Sequence, residues 1–155
     1  MILLYFQNWM KKIWIINGPN LNFLGIREKG IYGNDDYESV CEYIKRQFNL
    51  RSPKEVEIEI FQSNYEGKII DILQSAYFEK IDGIVINPGA FTHYSYAIFD
   101  GIKSIQIPTV EVHLSNIHER EDFRKISVTA PACVAQIYGK GKDGYVEAVK
   151  FLLEK

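Results

Sequence analysis

Short, almost unbroken apolar runs alternate along this chain with segments whose apolar residues return every three or four positions, and the alternation repeats about five times. The runs predict strands at Ile13–Asn17, Val56–Gln62, Gly83–Asn87, Pro108–His113 and Cys133–Tyr138, which are rich in branched side chains. Between them the longer period predicts helices. The clearest carries Tyr37, Val40, Cys41, Ile44 and Phe48 at i, i+3, i+4, i+7 and i+11, one helical face with charges opposite. Strands that are hydrophobic along their whole length must be covered on both sides. Joined by helices, they imply a parallel sheet between two helical layers.

No Ser/Pro/Gly-rich linker or internal repeat interrupts the series, so residues 11–155 read as a single α/β domain. Five units suit a five-stranded parallel sheet in the flavodoxin-like order 2-1-3-4-5. Residues 1–10 stand outside the pattern as an N-terminal extension; they have no positive leader and no small-residue cleavage site, so they do not read as a signal peptide. The 155 residues suit one core, and 46% hydrophobic with 25% charged composition is that of a soluble globular chain. A net charge of -2 and a pI near 5.9 offer no general attraction to nucleic acid or to an anionic membrane surface. No apolar run approaches the ~18 residues needed to span a bilayer, so a cytoplasmic protein is expected. Cys41 and Cys133 are far apart and match no metal spacing; they read as buried small hydrophobes, and no metal site is expected.

Parallel α/β sheets bind ligands at the carboxyl ends of their strands, and here those ends are polar. The first strand runs into Asn17 and then Asn20, the second into Gln62-Ser63-Asn64, the third into Asn87-Pro88-Gly89, and the fourth into Glu111-Val112-His113-Leu114-Ser115-Asn116. Asn and Ser at strand ends also cap helices, which accounts for one or two of these positions but hardly for four consecutive ends.

Candidate chemistry follows from that edge. Only three histidines occur, and His113 lies two residues after Glu111, so both side chains share one side of the strand and the carboxylate can orient the ring. A positioned imidazole is the commonest acid or base near neutral pH. His93 enters from a loop and suits hydrogen-bonding to a ligand, whereas His118 reads as a solvated first-turn residue. Arg120 and Arg124, four apart on an expected helix face, either pair with neighbouring carboxylates or reach back to an anionic substrate. The first loop brackets Arg27 and Tyr32 between glycines, as a flap carrying a cation and a phenol would. A phenol titrates near pH 10, so making it a base at neutral pH takes about three units, roughly 4 kcal/mol from nearby cations. Gly139-Lys140-Gly141-Lys142-Asp143-Gly144 matches G-x-G-x-x-G, but no acidic strand follows about 20 positions on, so it reads as a strand-to-helix turn. On these residues alone, a binding module that holds a small anion without chemistry competes with an enzyme.

From about Lys12 to the final helix the chain resembles the type II 3-dehydroquinate dehydratases. The resemblance rests on Asn17-Gly18-Pro19-Asn20-Leu21-Asn22 with Arg27 and Tyr32-Gly33, Gln62-Ser63-Asn64 with Glu66-Gly67, Asn87-Pro88-Gly89-Ala90 with Thr92-His93, and Glu111 to Asn116 with Arg120-Glu121 and Phe123-Arg124. It implies reversible dehydration of 3-dehydroquinate to 3-dehydroshikimate in the shikimate pathway, without cofactor or metal, in a homododecamer built as a tetramer of trimers. It also implies roles: Tyr32 as base at C2, Arg27 stabilising the tyrosinate, Asn20 holding a water on the enolate oxygen, and His113, oriented by Glu111, as acid to the C1 hydroxyl. Asn87, His93, Arg124 and the Leu114-Ser115 amides match substrate binders, and Asp100 a residue reaching a neighbouring subunit's site beside Arg120. The departures are Lys29 where the family usually has proline, Tyr65 and Tyr94 where other residues are common, and Gly101 for a usual alanine.

Overall fold

Alternation along the first strand, β1 (Lys11–Asn17), divides the interior in two. Ile13 and Ile15 face one side of the sheet, Trp14 and Ile16 the other, and all four are buried. The computed structural model describes residues 10–26, 35–49 and 56–155. Against the first side pack α1 (Tyr37–Asn49) and α4 (Asp143–Leu153), through Val40, Ile44, Phe48, Val149 and Leu152. Against the second pack α2 (Glu66–Phe78) and α3 (Tyr96–Ile105), through Ile69, Leu73, Ile98 and Ile102. Gly101 lies where these two helices meet, and a Cβ there would stand 3.3 Å from Leu73 Cδ1.

With β2 (Val56–Gln62), β3 (Gly83–Asn87), β4 (Thr109–His113) and β5 (Ala135–Tyr138), the sheet has the order β2-β1-β3-β4-β5 and every pairing is parallel. This is the flavodoxin-like order expected from the apolar pattern. Its register sets Asn17 beside both Gln62 and Asn87, and His113 beside Tyr138, so the polar strand ends share one edge.

The chain departs from expectation between β4 and β5, where a helix was expected. The structure has three short 3-10 turns instead, Ile117–Glu119, Asp122–Arg124 and Ala130–Ala132. Ile117, Phe123, Ile126 and Val128 fall off a helical period, Arg120 and Glu121 are extended, and Pro131 lacks an N–H. Arg120 and Arg124 therefore do not share a helix face, and His118 opens no α-helix. Strand β4 begins one residue later than expected because Pro108 has no N–H for the ladder. Strand β5 begins two later because the Cys133 N–H closes the last 3-10 turn on Ala130 O. Cys41 and Cys133 are free and partly exposed rather than fully buried.

The exits of β1 and β3 are tied together. Gly18 N–H donates to Asn87 O at 2.8 Å, and a Cβ on Gly18 would lie 2.3 Å from Pro88 O, so only glycine fits this crossing. Gly18→Ala should cost about 2 kcal/mol of stability, read as a lowered urea midpoint; an unchanged midpoint would show that the two exits can part freely.

Candidate active site

The carboxyl edge of the sheet carries a cleft of about 120 Å³, room for one small polar molecule. The exit of β1 lines it with Pro19, Asn20 and Leu21, and that of β3 with Asn87, Gly89, Ala90 and His93. The exit of β4 adds His113, Leu114 and Ser115, and the 3-10 segment adds Ile117, Arg120 and Arg124.

Beneath the cleft lies Glu111, with 0% exposure. Its Oε2 accepts from His113 Nε2 at 3.0 Å, Ser127 Oγ at 2.8 Å and Gln136 Nε2 at 2.7 Å. Its Oε1 accepts from Thr92 Oγ1 at 3.1 Å and from the Thr129 hydroxyl. Burial pushes the Glu111 pKa up, but the hydrogen bond and charge of His113, then the Thr129 and Ser127 hydroxyls, outweigh it and hold the carboxyl below its ordinary range. Because a carboxylate only accepts, His113 Nε2 carries a proton, which leaves Nδ1 as the ring atom able to exchange one.

Asn20 has a left-handed backbone, φ 67°, held from outside the cleft: its N–H donates to Asn64 Oδ1 at 3.0 Å, and Gln62 Nε2 donates to the same oxygen at 3.1 Å. The carbonyls of His113, Leu114 and Ser115 accept from the N–H groups of Gly139 and Gly141, both at positive φ. Across a trans peptide the next N–H points away from its carbonyl, so this glycine turn leaves the amides after His113 and Leu114 facing away from itself. That is the work of the G-x-G-x-x-G run.

His93 Nδ1 lies 2.8 Å from Ile126 O, and since a carbonyl only accepts, Nε2 is left as a bare acceptor. Burial holds the His93 pKa below its ordinary value against the pull of that carbonyl, helped by the charges of Arg124, His113 and Arg120. Arg124 stacks on Phe123, and its Nε lies 3.1 Å from Glu121 Oε2 without forming an aligned hydrogen bond. Arg120 Nε lies 3.8 Å from the same carboxylate oxygen.

Comparison with known proteins decides the family. The sequence pattern of the family described as dehydroquinase class II matches residues 11–153. The chain belongs to that family. It is 65% identical over 141 residues to a 3-dehydroquinate dehydratase of Clostridium beijerinckii, spanning 91% of this chain and 94% of that one. The solved type II dehydroquinase of Butyrivibrio crossotus superposes with a TM-score of 0.88 at 56% identity, over 92% of this chain and 97% of the other. That of Propionibacterium acnes superposes at 0.84 with 34% identity, over 94% and 97%.

Of the residues singled out in this class II dehydroquinase sequence, Asn20, Asn87, His93, His113, Leu114, Ser115, Arg120 and Arg124 meet at the cleft, with Glu111 directly behind His113. Asp100 does not; it is exposed on α3. His118 stands outside the lining, its ring edge-on to Tyr138 at 4.8 Å. Tyr65 and Tyr94 are exposed. Arg27, Lys29 and Tyr32, and the extension apart from Met10, lie outside the described residues. Around Glu111, sequence reasoning quoted Thr92 only within a motif and gave it no role, and it missed Ser127, Thr129 and Gln136. A Ser-x-Thr pair and an isolated Gln on a strand were the only signals available.

Because the folded pKa of Glu111 lies below its unfolded value near 4.5, its ionised form stabilises the fold fully above that pH and loses the contribution as pH falls through the folded value. Glu111→Gln should cost about 3 kcal/mol at neutral pH, and the gap to the parent should narrow in acid. Urea denaturation across pH measures it, and a gap independent of pH would overturn the assignment.

Proposed function

We propose that this chain catalyses the reversible dehydration of 3-dehydroquinate to 3-dehydroshikimate as a lyase of the shikimate pathway. The observation that carries the mechanism is the buried Glu111–His113 pair beneath a cleft walled by amides and guanidinium groups. Tyr32 takes the C2 proton, with Arg27 favouring the tyrosinate. The electron pair moves into an enolate, whose oxygen meets a water held by Asn20, a small oxyanion hole. His113, held by Glu111, then donates a proton to the C1 hydroxyl, which leaves as water in an anti elimination as the C1–C2 double bond forms. The Leu114 and Ser115 amides receive the carboxylate, and Asn87, His93 and Arg124 hold the remaining oxygens. His93 serves as an acceptor, because Ile126 O occupies its Nδ1 proton. The route calls for neither metal nor cofactor, and no lysine stands among the described cleft residues.

The working form in this reading is a cytoplasmic homododecamer, a tetramer of trimers, in which Asp100 serves a neighbouring copy's cleft beside Arg120. The exposure of Asp100 away from its own cleft supports this, as do the exposed Tyr94, Tyr96, Phe123 and Ile126. Sedimentation of the purified protein should show a single species of twelve chains.

Adding 3-dehydroquinate should raise the ultraviolet absorbance of the conjugated enone. No signal at high enzyme concentration, with binding intact, would favour the non-catalytic binding module. Tyr32→Phe should lower kcat at least about a hundredfold with an unchanged urea midpoint, and full activity in that variant would remove Tyr32 as the base. Borohydride added with substrate should leave activity intact; a trapped lysine adduct would rule out the enolate route.

A further inference from the structure

Behind the cleft, three buried side chains form a hydrogen-bonded row of which the proposed chemistry uses only Asn87. Asn87 Nδ2 donates to the Tyr145 hydroxyl at 2.9 Å, and that hydroxyl donates to Asn17 Oδ1 at 2.6 Å. Each of the three residues is 2% exposed. Asn17 and Asn87 are register partners at the ends of β1 and β3, and Tyr145 comes from the first turn of α4. Tyr37 on α1 meets the far end of the row through Asn17.

The direction of the row is set by one backbone group. Gly89 N–H donates to Asn87 Oδ1 at 3.2 Å, and an N–H cannot face an NH₂, so the oxygen of Asn87 turns to Gly89 and its nitrogen to Tyr145. One Nδ2 proton goes to Tyr145, and the other is available to the cleft that Asn87 lines. The Tyr145 hydroxyl has a single proton, which goes to Asn17, so its lone pair meets Asn87. Both functions belong to the hydroxyl, and phenylalanine has neither. Burial pushes the Tyr145 phenol up, so it keeps that proton throughout the working range.

We infer that Tyr145 is a positioning residue: by accepting from Asn87 and donating to Asn17, it locks the Asn87 amide with an N–H aimed at an oxygen of the bound substrate. Tyr145 does not itself line the cleft, so it acts through Asn87. The inference rests on the dehydratase reading and adds to it how that binding group is oriented by a buried side chain of α4.

A double-mutant cycle tests it. Tyr145→Phe should raise KM for 3-dehydroquinate about tenfold, the equivalent of one lost hydrogen bond, with a smaller change in kcat. In an Asn87→Ala background the same substitution should leave KM unchanged, because the group it positions is gone. A purely structural hydroxyl would lower the urea midpoint without moving KM, or change KM by the same factor in both backgrounds, and either result overturns the inference. Should Tyr145→Phe not fold, Asn17→Ala removes the hydroxyl's acceptor while keeping the ring, and an unchanged KM there is equally decisive against it. A parent enzyme without turnover would sink the dehydratase reading separately. The cycle is then read on the Kd for 3-dehydroquinate by calorimetry, and no binding would end both.

Discussion

An ionised carboxylate removed from water costs several kcal/mol unless its oxygens are fully hydrogen-bonded, and Glu111 meets that condition at 0% exposure. Its donors come from β4 itself, from the turn after β3, from the segment before β5, and from β5. Among the described residues, no other group in the site is shared by so many pieces of chain. The carboxylate thereby pins the irregular 3-10 crossover onto the sheet, and the bond that satisfies part of its charge also sets the plane of the His113 ring. The shape of the site and the orientation of its imidazole have a common origin.

The parallel sheet supplies the second constraint. Its strands end on one edge, so a polar residue placed last on each strand meets the others without any loop having to bring it there. The alternating interior residues meanwhile fill two separate apolar layers, which fixes the register that sets Asn17 beside Asn87. The close crossing at Gly18, where no Cβ fits, depends on that same register.

The crossover from β4 to β5 shows why a regular element is not always the useful one. A continuous helix there would carry Arg120 and Arg124 along an axis leading away from the edge. Short 3-10 turns keep both guanidinium groups at the cleft wall. They also let Val128 N–H donate to Thr92 O and Ile126 O receive the His93 ring. Two cleft-lining elements are thus held against each other by the segment in which the sequence pattern predicted a helix.

The five strands, the parallel sheet and the polar strand ends were legible in the sequence, because each depends on periodicity over a few residues or on strand termini that the parallel fold must bring together, whereas the 2-1-3-4-5 order was expected only because five such units suit it. Apart from His113, the donors around Glu111 were not legible as such. Thr92, Ser127, Thr129 and Gln136 lie 16 to 25 positions from it, and no local period links residues at that distance. Tyr145 was one of ten tyrosines, distinguishable only by what lies above it in the fold. The sequence by itself determined which residues reach the edge of the sheet, since hydrophobic spacing dictates strands and strands dictate their ends. Only the tertiary structure decided how those residues are turned, because orientation is set by hydrogen-bond partners that register and packing bring together from distant parts of the chain.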